Sequence, residues 1–208
     1  MASEGKISKN FKSATPAGSG HWEEAREYGF NTGLVHAGVL PDPITGAVLT
    51  PIYQSTTYIQ ESIDKYLAKG FSYTRSANPT VKAFEEKVAA VENGAGATAF
   101  GTGMAATCTI VASFMSAGDH AVVTNCSYGG TNRAMRVMFT RFGMTFDFVD
   151  FTDLKQIEAA IKPNTKLILS ESPANPTLVL ADLAAISKLA KSRNIIHVCD
   201  STFATPVI

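Results

Sequence analysis

A strand, a helix and a second strand are predicted within residues 166–200, whose sequence is KLILSESPANPTLVLADLAAISKLAKSRNIIHVCD. The largely apolar runs at 166–170 and 195–199 have the length of buried strands, and leucine and isoleucine recur between them at the spacing of one helical face. Two strands joined through a helix lie parallel in one sheet. The segment therefore predicts a parallel α/β unit that ends at Asp200.

The same alternation of strands and helices begins upstream at Asn78. This residue is suited to cap a helix whose first residue is Pro79. A second helix, at 104–115, is apolar nearly all round, which predicts that it is buried. Further strands are predicted at 97–100, 121–124 and 145–149, and further helices at 130–142 and 154–161. The alternation predicts an α/β fold with a mostly parallel, doubly wound sheet.

The residues before Asn78 differ in composition from the rest of the chain. Residues 1–20 are polar, and we expect them to form a flexible tail. Residues 21–77 contain turn-forming segments such as Pro41-Asp42-Pro43, which predict an extended N-terminal arm that wraps around another part of the protein. The expected organisation is thus a tail at 1–20, an arm at 21–77 and an α/β domain at 78–208.

The composition indicates a globular protein without a polyanionic or membrane partner. Of 208 residues, 45% are hydrophobic and 17% are charged, and the formal net charge is 18 − 18 = 0. This neutral balance argues against nucleic acid and anionic membrane surfaces as partners. The sequence also contains no apolar run long enough to span a membrane.

Cysteine and histidine usage bears on the compartment and on metals. Cys108, Cys126 and Cys199 form no C-x-x-C pair, which predicts a reducing compartment and so a cytoplasmic location. The first residues lack a secretory signal, and a mitochondrial leader is disfavoured by the acidic Glu4 and by the absence of arginine before Arg26. The four histidines show no ligand spacing, so no metal is expected.

A glycine-rich turn, Gly101-Thr102-Gly103-Met104, joins a predicted strand to a predicted helix. Glycines let the backbone approach an anion, and the start of a helix offers free N–H groups, so the turn predicts a phosphate site. Residues 101–106 also match the G-x-G-x-x-A dinucleotide pattern. That pattern needs an acidic residue at the end of the next strand, which here ends at Thr124-Asn125. A tight turn without a ligand is the remaining alternative.

Other candidate residues follow predicted strands, at the edge where such sheets bind ligands. Asp200 can hold a protonated ring nitrogen, as an acidic partner does for pyridoxal phosphate, or can cap a helix. Tyr128 can stack on a ring and transfer a proton through its hydroxyl, or be an ordinary loop aromatic. The amide of Asn175, between Pro173 and Pro176, can donate to a phenolate oxygen or bond its own backbone.

Two residues of the arm complete the candidate set. Arg75 can make a bidentate contact with a phosphate, and Tyr73 lies two positions before it. The alternative for Arg75 is a solvated charge on a loop. With the strand-end residues, they predict a site for a flat, phosphorylated, aromatic cofactor that carries the chemistry itself.

Five motifs occur in order along the chain. They are Tyr73-Thr74-Arg75-x-x-Asn78-Pro79-Thr80, Gly101-Thr102-Gly103-Met104-Ala105-Ala106, Tyr128-Gly129-Gly130-Thr131, Glu171-Ser172-Pro173-Ala174-Asn175-Pro176-Thr177 and Asp200-Ser201-Thr202-Phe203. Together they resemble the Cys/Met-metabolism family of pyridoxal phosphate enzymes, from about Asn31 to the end of the chain. This family includes the cystathionine lyases and synthases, methionine γ-lyase and the homoserine-ester sulfhydrylases.

The resemblance implies fold type I, the fold of aspartate aminotransferase, and a homotetramer built as a dimer of dimers. It implies that backbone N–H groups of Gly103 and Met104 bind the phosphate of pyridoxal 5'-phosphate, and that Tyr73 and Arg75 bind the phosphate of the neighbouring subunit. It also implies that Tyr128 stacks against the ring and that Thr202 lies close to it. Asn175 would bond the phenolic oxygen, and Asp200 the ring nitrogen. It also implies a catalytic role for Tyr128 in proton transfer.

The chain departs from the family pattern at several positions. Thr102 stands where the family often has serine, which keeps a hydroxyl, and Ser201 stands where it often has asparagine. The Schiff-base lysine of the family lies in a Ser-x-Thr-Lys motif that this sequence lacks. We expect that lysine beyond Ile208, together with the C-terminal domain. The expectation is an incomplete large domain that does not catalyse a reaction by itself.

The function implied by the resemblance is γ-elimination on a small sulfur amino acid in transsulfuration, with cystathionine yielding cysteine, 2-oxobutanoate and ammonia. Residues 128–133, YGGTNR, look most like cystathionine γ-lyases, whereas methionine γ-lyases commonly carry cysteine where Gly130 stands. Methionine γ-lyase, cystathionine β-lyase, cystathionine synthase and homoserine-ester sulfhydrylase remain alternatives within the family. A non-catalytic oligomerising fragment and a nicotinamide-dependent oxidoreductase are the alternatives outside it.

Overall fold

A computed structural model describes residues 30–37, 39, 41–42, 44–60, 62–65 and 70–206. The flexible tail expected at 1–20 lies outside the described residues. The chain divides into two compact units, residues 1–99 and residues 100–208. The boundary predicted between arm and domain, at 77/78, stays a prediction.

Among the described residues of the first unit, two helices are formed, α1 (Phe30–His36) and α2 (Pro79–Val91). The predicted start of α2 is confirmed. The side-chain oxygen of Asn78 accepts a hydrogen bond from the N–H of Thr80 over 2.9 Å, and Pro79 is the first helical residue. A local sequence signal was sufficient here because the cap and its partner are two positions apart.

Strand pairing is sparse in the first unit. Among its described residues, one isolated antiparallel bridge joins Thr57 and Tyr73. The strand predicted at 97–100 is wrong, because these residues pair with none of the described strands. A strand depends on the hydrogen bonds of a partner, and an apolar run does not show whether that partner is present.

Four strands form the sheet of the second unit: β1 (His120–Thr124), β2 (Thr145–Val149), β3 (Thr165–Glu171) and β4 (Ile196–Asp200). They lie in the order β2-β1-β3-β4, and every neighbouring pair is parallel. The two central strands are β1 and β3, and all residues of β1 are buried. The predicted parallel α/β sheet is confirmed.

Helical segments connect the strands of the second unit. They are α3 (Gly103–Phe114), α4 (Gly129–Arg133), α5 (Leu154–Ala160) and α6 (Leu183–Ser192). Instead of the single helix predicted at 130–142, α4 widens into a π-helical turn at Ala134–Met138 and tightens into a 3-10 turn at Phe139–Phe142. Gly143 ends this segment in the left-handed region, at φ 80°.

Two hydrophobic cores lie on opposite faces of the sheet, because alternate residues of a strand point to opposite sides. One core joins α3 and the segment after α4 to the sheet and includes Val111, Met115, Ala121, Val123, Met135, Phe139 and Leu167. The other joins α5 and α6 to the sheet and includes Val122, Ile157, Ile168, Ile186 and Ala190. A sheet with helices on both faces is doubly wound, as predicted.

The apolar helix α3 is less buried than its composition predicts. Val111 is enclosed, whereas Phe114 is 48% exposed. The expectation of a helix buried all round is wrong, because apolar composition does not show how many neighbours cover a helix. Despite this composition, α3 has only 12 residues. Among the described parts of the chain, no helix is long and apolar enough to cross a bilayer.

Candidate cofactor site

A cavity of about 340 Å³ lies in the second unit, where β3 and β4 end. It is lined by Thr102, Gly103, Met104, Thr107, Tyr128, Thr131, Glu171, Asn175, Asp200, Thr202 and Phe203. Small-molecule and cofactor sites generally occupy roughly 300–1,000 Å³. The cavity therefore has a suitable size, at the edge where parallel α/β sheets bind ligands.

Most of the predicted site residues meet at this cavity. Six of the eight line it, namely Gly103, Met104, Tyr128, Asn175, Asp200 and Thr202. The other two, Tyr73 and Arg75, lie in the first unit, where the guanidinium carbon of Arg75 is 4.9 Å from the centroid of the Tyr73 ring. The roles of all eight residues stay predictions.

The first turn of α3 presents free N–H groups at the cavity. The hydroxyl of Thr102 accepts a hydrogen bond from the N–H of Ala105 over 3.0 Å and so caps the helix. The N–H groups of Gly103 and Met104 have no acceptor among the described residues, as is usual at the first positions of a helix. A Cβ at Gly103 would meet nothing within 4 Å. An anion therefore has both the space and the donors that it needs.

Tyr128 follows β1 and directly precedes α4. Its ring lies over Gly130, because a Cβ at residue 130 would be 2.5 Å from Tyr128 Cε1 and 2.8 Å from Met104 Sδ. Carbon atoms in contact are normally about 3.5–4.0 Å apart. The absence of a side chain at residue 130 is therefore what allows the ring to lie there. The tyrosine is 47% exposed, which leaves ring surface for a flat ligand.

Asp200 ends β4, and its two carboxylate oxygens have different surroundings. Oδ1 accepts a hydrogen bond from the N–H of Thr202 over 3.1 Å and another from the hydroxyl of Thr202 over 2.6 Å. Oδ2 receives no hydrogen bond from the described residues. The turn thus orients the carboxylate and leaves one oxygen for an N–H donor of a ligand.

Asn175 lies in the loop that follows β3, between two prolines. The Ser172–Pro173 and Asn175–Pro176 peptide bonds are both cis. The backbone N–H of Asn175 donates to Glu171 Oε1 over 2.8 Å. Its side-chain amide makes no hydrogen bond to the residues that the structure describes, so it does not bond its own backbone. That amide remains a donor for a ligand in the cavity.

Sequence reasoning assigned no role to four lining residues: Thr107, Thr131, Glu171 and Phe203. The signal for Thr107 was its spacing, since it follows Gly103 by one helical turn and its hydroxyl donates to the Gly103 carbonyl over 3.2 Å. Glu171 gave no such signal, because it accepts a hydrogen bond from the N–H of Tyr128, 43 residues away in the chain. Only the folded sheet brings them together.

Two titratable side chains precede Asp200 in β4, those of His197 and Cys199. His197 is held between hydroxyls, with Nε2 2.9 Å from Ser170 Oγ and Nδ1 2.7 Å from Ser187 Oγ. Burial lowers the pKa of His197, so the ring is neutral near pH 7. Burial raises the pKa of the Cys199 thiol, which therefore stays protonated. Neither group places a charge next to Asp200.

Pyridoxal phosphate matches the donors and acceptors of the cavity. The free N–H groups of Gly103 and Met104 suit its phosphate, the Asp200 carboxylate suits its protonated ring nitrogen, and Tyr128 suits its flat ring. The lining residues that the structure describes include two acids and neither lysine nor arginine. A parallel α/β sheet with this site at its carboxyl edge defines a pyridoxal phosphate protein of fold type I.

The chain belongs to the Cys/Met metabolism PLP-dependent enzyme family, whose model matches residues 31–208. It is 48% identical over 179 residues to a cystathionine beta-lyase of Coxiella burnetii, and the matched residues make up 86% of this chain and 46% of that relative. It is 42% identical over 180 residues to a probable cystathionine gamma-synthase of Herpetosiphon aurantiacus, and the matched residues make up 86% of this chain and 56% of that relative. The predicted family and its cofactor are confirmed.

Solved structures share the fold. The metB protein of Corynebacterium glutamicum matches with a TM-score of 0.82 at 44% sequence identity. Cystathionine gamma-lyase from Lactobacillus plantarum, complexed with L-serine, matches with a TM-score of 0.82 at 43% identity. Each match covers 86% of this chain and 46% of the other. The chain thus spans about half the length of the curated relatives it matches.

Proposed function

We propose that this chain is the cofactor-binding part of an enzyme that converts cystathionine and water to cysteine, 2-oxobutanoate and ammonia by γ-elimination. The observation that carries the proposal is the cavity at the ends of β3 and β4, which collects six of the predicted cofactor ligands. Family membership supports pyridoxal phosphate chemistry on a sulfur amino acid. Membership of a PLP-dependent family also argues against a nicotinamide-dependent oxidoreductase.

The loop of Tyr128 favours cystathionine over methionine as the substrate. Methionine γ-lyases commonly carry cysteine where Gly130 stands, and any Cβ at residue 130 would collide with the ring of Tyr128 as it lies here. The likeness to the cystathionine gamma-lyase of L. plantarum supports the same choice.

A second candidate is β-elimination, which would convert cystathionine and water to homocysteine, pyruvate and ammonia. The specific observation in its favour is the 48% identity to the C. burnetii protein named cystathionine beta-lyase. Synthesis of cystathionine by γ-replacement is supported in the same way by the H. aurantiacus relative. The products of the reaction distinguish these possibilities.

The residues of the chain would hold the cofactor and keep its ring in the protonated state that accepts electrons. Bound pyridoxal phosphate accepts the electrons left on the substrate when its Cα proton is removed. Asp200 Oδ2 would accept the hydrogen bond of the ring N–H and so keep that nitrogen protonated. The N–H groups of Gly103 and Met104 would bind the phosphate, and the Asn175 amide would donate to the phenolic oxygen.

Tyr128 and Thr202 would act closest to the reacting atoms. The Tyr128 ring would cover one face of the cofactor, and its hydroxyl would donate a proton to the sulfur that leaves from Cγ and would regain a proton afterwards. Thr202 would pack near the ring, and its two hydrogen bonds to Asp200 Oδ1 would fix the direction of the carboxylate. Each of these residues lines the cavity.

Two further contributions are proposed to come from outside the cavity. No lysine is found among the described lining residues. We therefore assign the lysine that binds the cofactor aldehyde to a Ser-x-Thr-Lys motif elsewhere in the intact protein, as the family resemblance implies. Tyr73 and Arg75 would bind the phosphate of a neighbouring subunit.

A homotetramer would also cover apolar surface of the first unit. There the side chains of Ile44 and Ile63 are 89% and 92% exposed. Large exposed apolar side chains of this kind often mark protein–protein contacts. Light scattering of the intact protein tests the assembly, because a monomer in solution would contradict the contribution of Arg75 to a second subunit. A cytoplasmic location is proposed from cysteine usage alone.

Product analysis tests the proposed reaction. The intact protein, purified with pyridoxal phosphate, would be incubated with cystathionine and, separately, with methionine. We expect equal amounts of cysteine and 2-oxobutanoate from cystathionine. Pyruvate with homocysteine would show the β-elimination candidate to be correct, and cofactor-bound protein that forms no keto acid from either substrate would refute lyase activity.

A further inference from the structure

One buried carboxylate holds two loops of the cofactor site together. Glu171 is the last residue of β3 and is only 7% exposed. Its Oε2 accepts a hydrogen bond from the N–H of Tyr128 over 2.6 Å, and its Oε1 accepts one from the N–H of Asn175 over 2.8 Å. The loop after β1 and the loop after β3 are therefore joined through the two oxygens of a single side chain.

The buried position of this carboxylate depends on the hydrogen bonds that it accepts. No salt bridge to Glu171 is formed among the described residues, and its pairing partner on β4 is Asp200, a second acid. Burying an acid without a cation is unfavourable unless hydrogen bonds stabilise it, and bonds from backbone N–H groups to a carboxylate are short and strong. Stability alone gives no reason to place two acids side by side here.

The two acids differ in what their oxygens are free to do. Both oxygens of Glu171 are occupied by the loops, whereas Asp200 has Oδ2 free of hydrogen bonds from the described residues. Asp200 can therefore accept a hydrogen bond from a ring nitrogen, whereas the oxygens of Glu171 accept hydrogen bonds from the protein backbone. Glu171 thereby fixes the spacing between Tyr128, which is proposed to stack on the ring, and Asn175, which is proposed to bond the phenolic oxygen.

We propose that Glu171 is a positioning residue of the cofactor site, which fixes the positions of Tyr128 and Asn175 relative to each other for contact with the pyridoxal ring. The inference rests on the proposed function, because it assigns a role at the same site. This role requires a side chain that accepts two hydrogen bonds at once. A glutamine has the same shape but presents one oxygen and one NH2 group, so one of the two backbone N–H groups would face a donor.

The test compares Glu171→Gln with Asp182→Asn in the intact protein. Asp182 is a suitable control, since its Oδ1 accepts the N–H of Ala185 over 2.9 Å at the start of α6, and it does not line the cavity. We would measure the dissociation constant of pyridoxal phosphate and the visible circular dichroism of the bound cofactor. Thermal unfolding of the cofactor-free proteins would report any loss of stability.

For Glu171→Gln we expect roughly tenfold weaker cofactor binding, the effect of one charge-assisted hydrogen bond, and an altered visible dichroism. For Asp182→Asn we expect both to stay as in the wild type. Wild-type affinity and dichroism in Glu171→Gln would overturn the inference and leave the proposed function intact. A wild-type protein that binds no pyridoxal phosphate would overturn both.

If Glu171→Gln does not fold, hydrogen exchange of the wild type tests whether Glu171 holds the two loops. In the cofactor-free wild type, the amide protons of Tyr128 and Asn175 should exchange at least about tenfold more slowly than that of Gly129, which begins α4 and has no acceptor among the described residues. Equally fast exchange at all three amides would overturn the inference, because the carboxylate would then not hold the loops.

Discussion

Replacing Gly130 with alanine is expected to weaken cofactor binding by displacing the ring of Tyr128, while the fold is kept at a modest cost in stability. The new Cβ would lie 2.5 Å from Tyr128 Cε1, 3.1 Å from Tyr128 Cδ1 and 2.8 Å from Met104 Sδ. Because carbon contacts are normally about 3.5–4.0 Å, the ring must move by roughly 1 Å or more. All three atoms belong to side chains, so the backbone can stay in place while the ring moves.

The two free-energy effects can be estimated separately. Inserting a methyl group into a packed site generally costs about 1–3 kcal/mol, and the exposed edge of Tyr128 places this site near the lower limit. An aromatic contact of suitable geometry contributes about 0.5–1.5 kcal/mol beyond its buried area. Losing the stacking geometry should therefore weaken pyridoxal phosphate binding about 2- to 13-fold.

The assay uses Gly129→Ala as the matched control, because a Cβ at Gly129 would meet nothing within 4 Å. For both variants of the intact protein, urea unfolding of the cofactor-free form and the dissociation constant of pyridoxal phosphate would be measured. We expect weaker binding and a changed visible spectrum for Gly130→Ala only. Equal cofactor affinities in the two variants would refute the claim that the Tyr128 ring, as placed here, contacts the cofactor.

Three further outcomes are expected. Asp200→Ala should lower turnover by more than about 100-fold while far-ultraviolet circular dichroism stays unchanged, because the ring nitrogen loses its charge partner; near-normal turnover would remove that role. Arg75→Ala should weaken cofactor affinity roughly tenfold through loss of a charge-assisted contact, and unchanged affinity would argue against a phosphate contact by this residue. Burial lowers the pKa values of His120 and His197 in the folded state below the ordinary histidine value of 6.5. The unfolded chain therefore binds more protons below about pH 6.5, so the free energy of unfolding should fall as the pH drops from about 7.5 to about 5.5; a flat profile would contradict this.

The parts of the fold that were predictable depend on local signals. The start of α2 follows from Asn78 and Pro79, since the cap and its partner are near neighbours in the chain. The meeting of Tyr128, Asn175 and Asp200 was predictable without knowing the strand order, because residues that follow parallel strands gather at one edge of the sheet.

The parts that were not predictable depend on distant partners. The run at 97–100 has strand-like composition but no partner among the described strands. The π-helical turn at Ala134–Met138 lies within a segment whose sequence predicts an ordinary helix. The hydrogen bond between Glu171 and the Tyr128 N–H joins residues 43 positions apart. Its existence follows from the pairing of β1 with β3, which no motif in either segment specifies.

The most direct measurement is a crystal structure of the intact protein with pyridoxal phosphate bound. We predict that the phosphate lies within hydrogen-bonding distance of the N–H groups of Gly103 and Met104, and that the ring nitrogen lies within hydrogen-bonding distance of an Asp200 carboxylate oxygen. Cofactor density at another place, or in this cavity with the ring nitrogen turned away from Asp200, would contradict it.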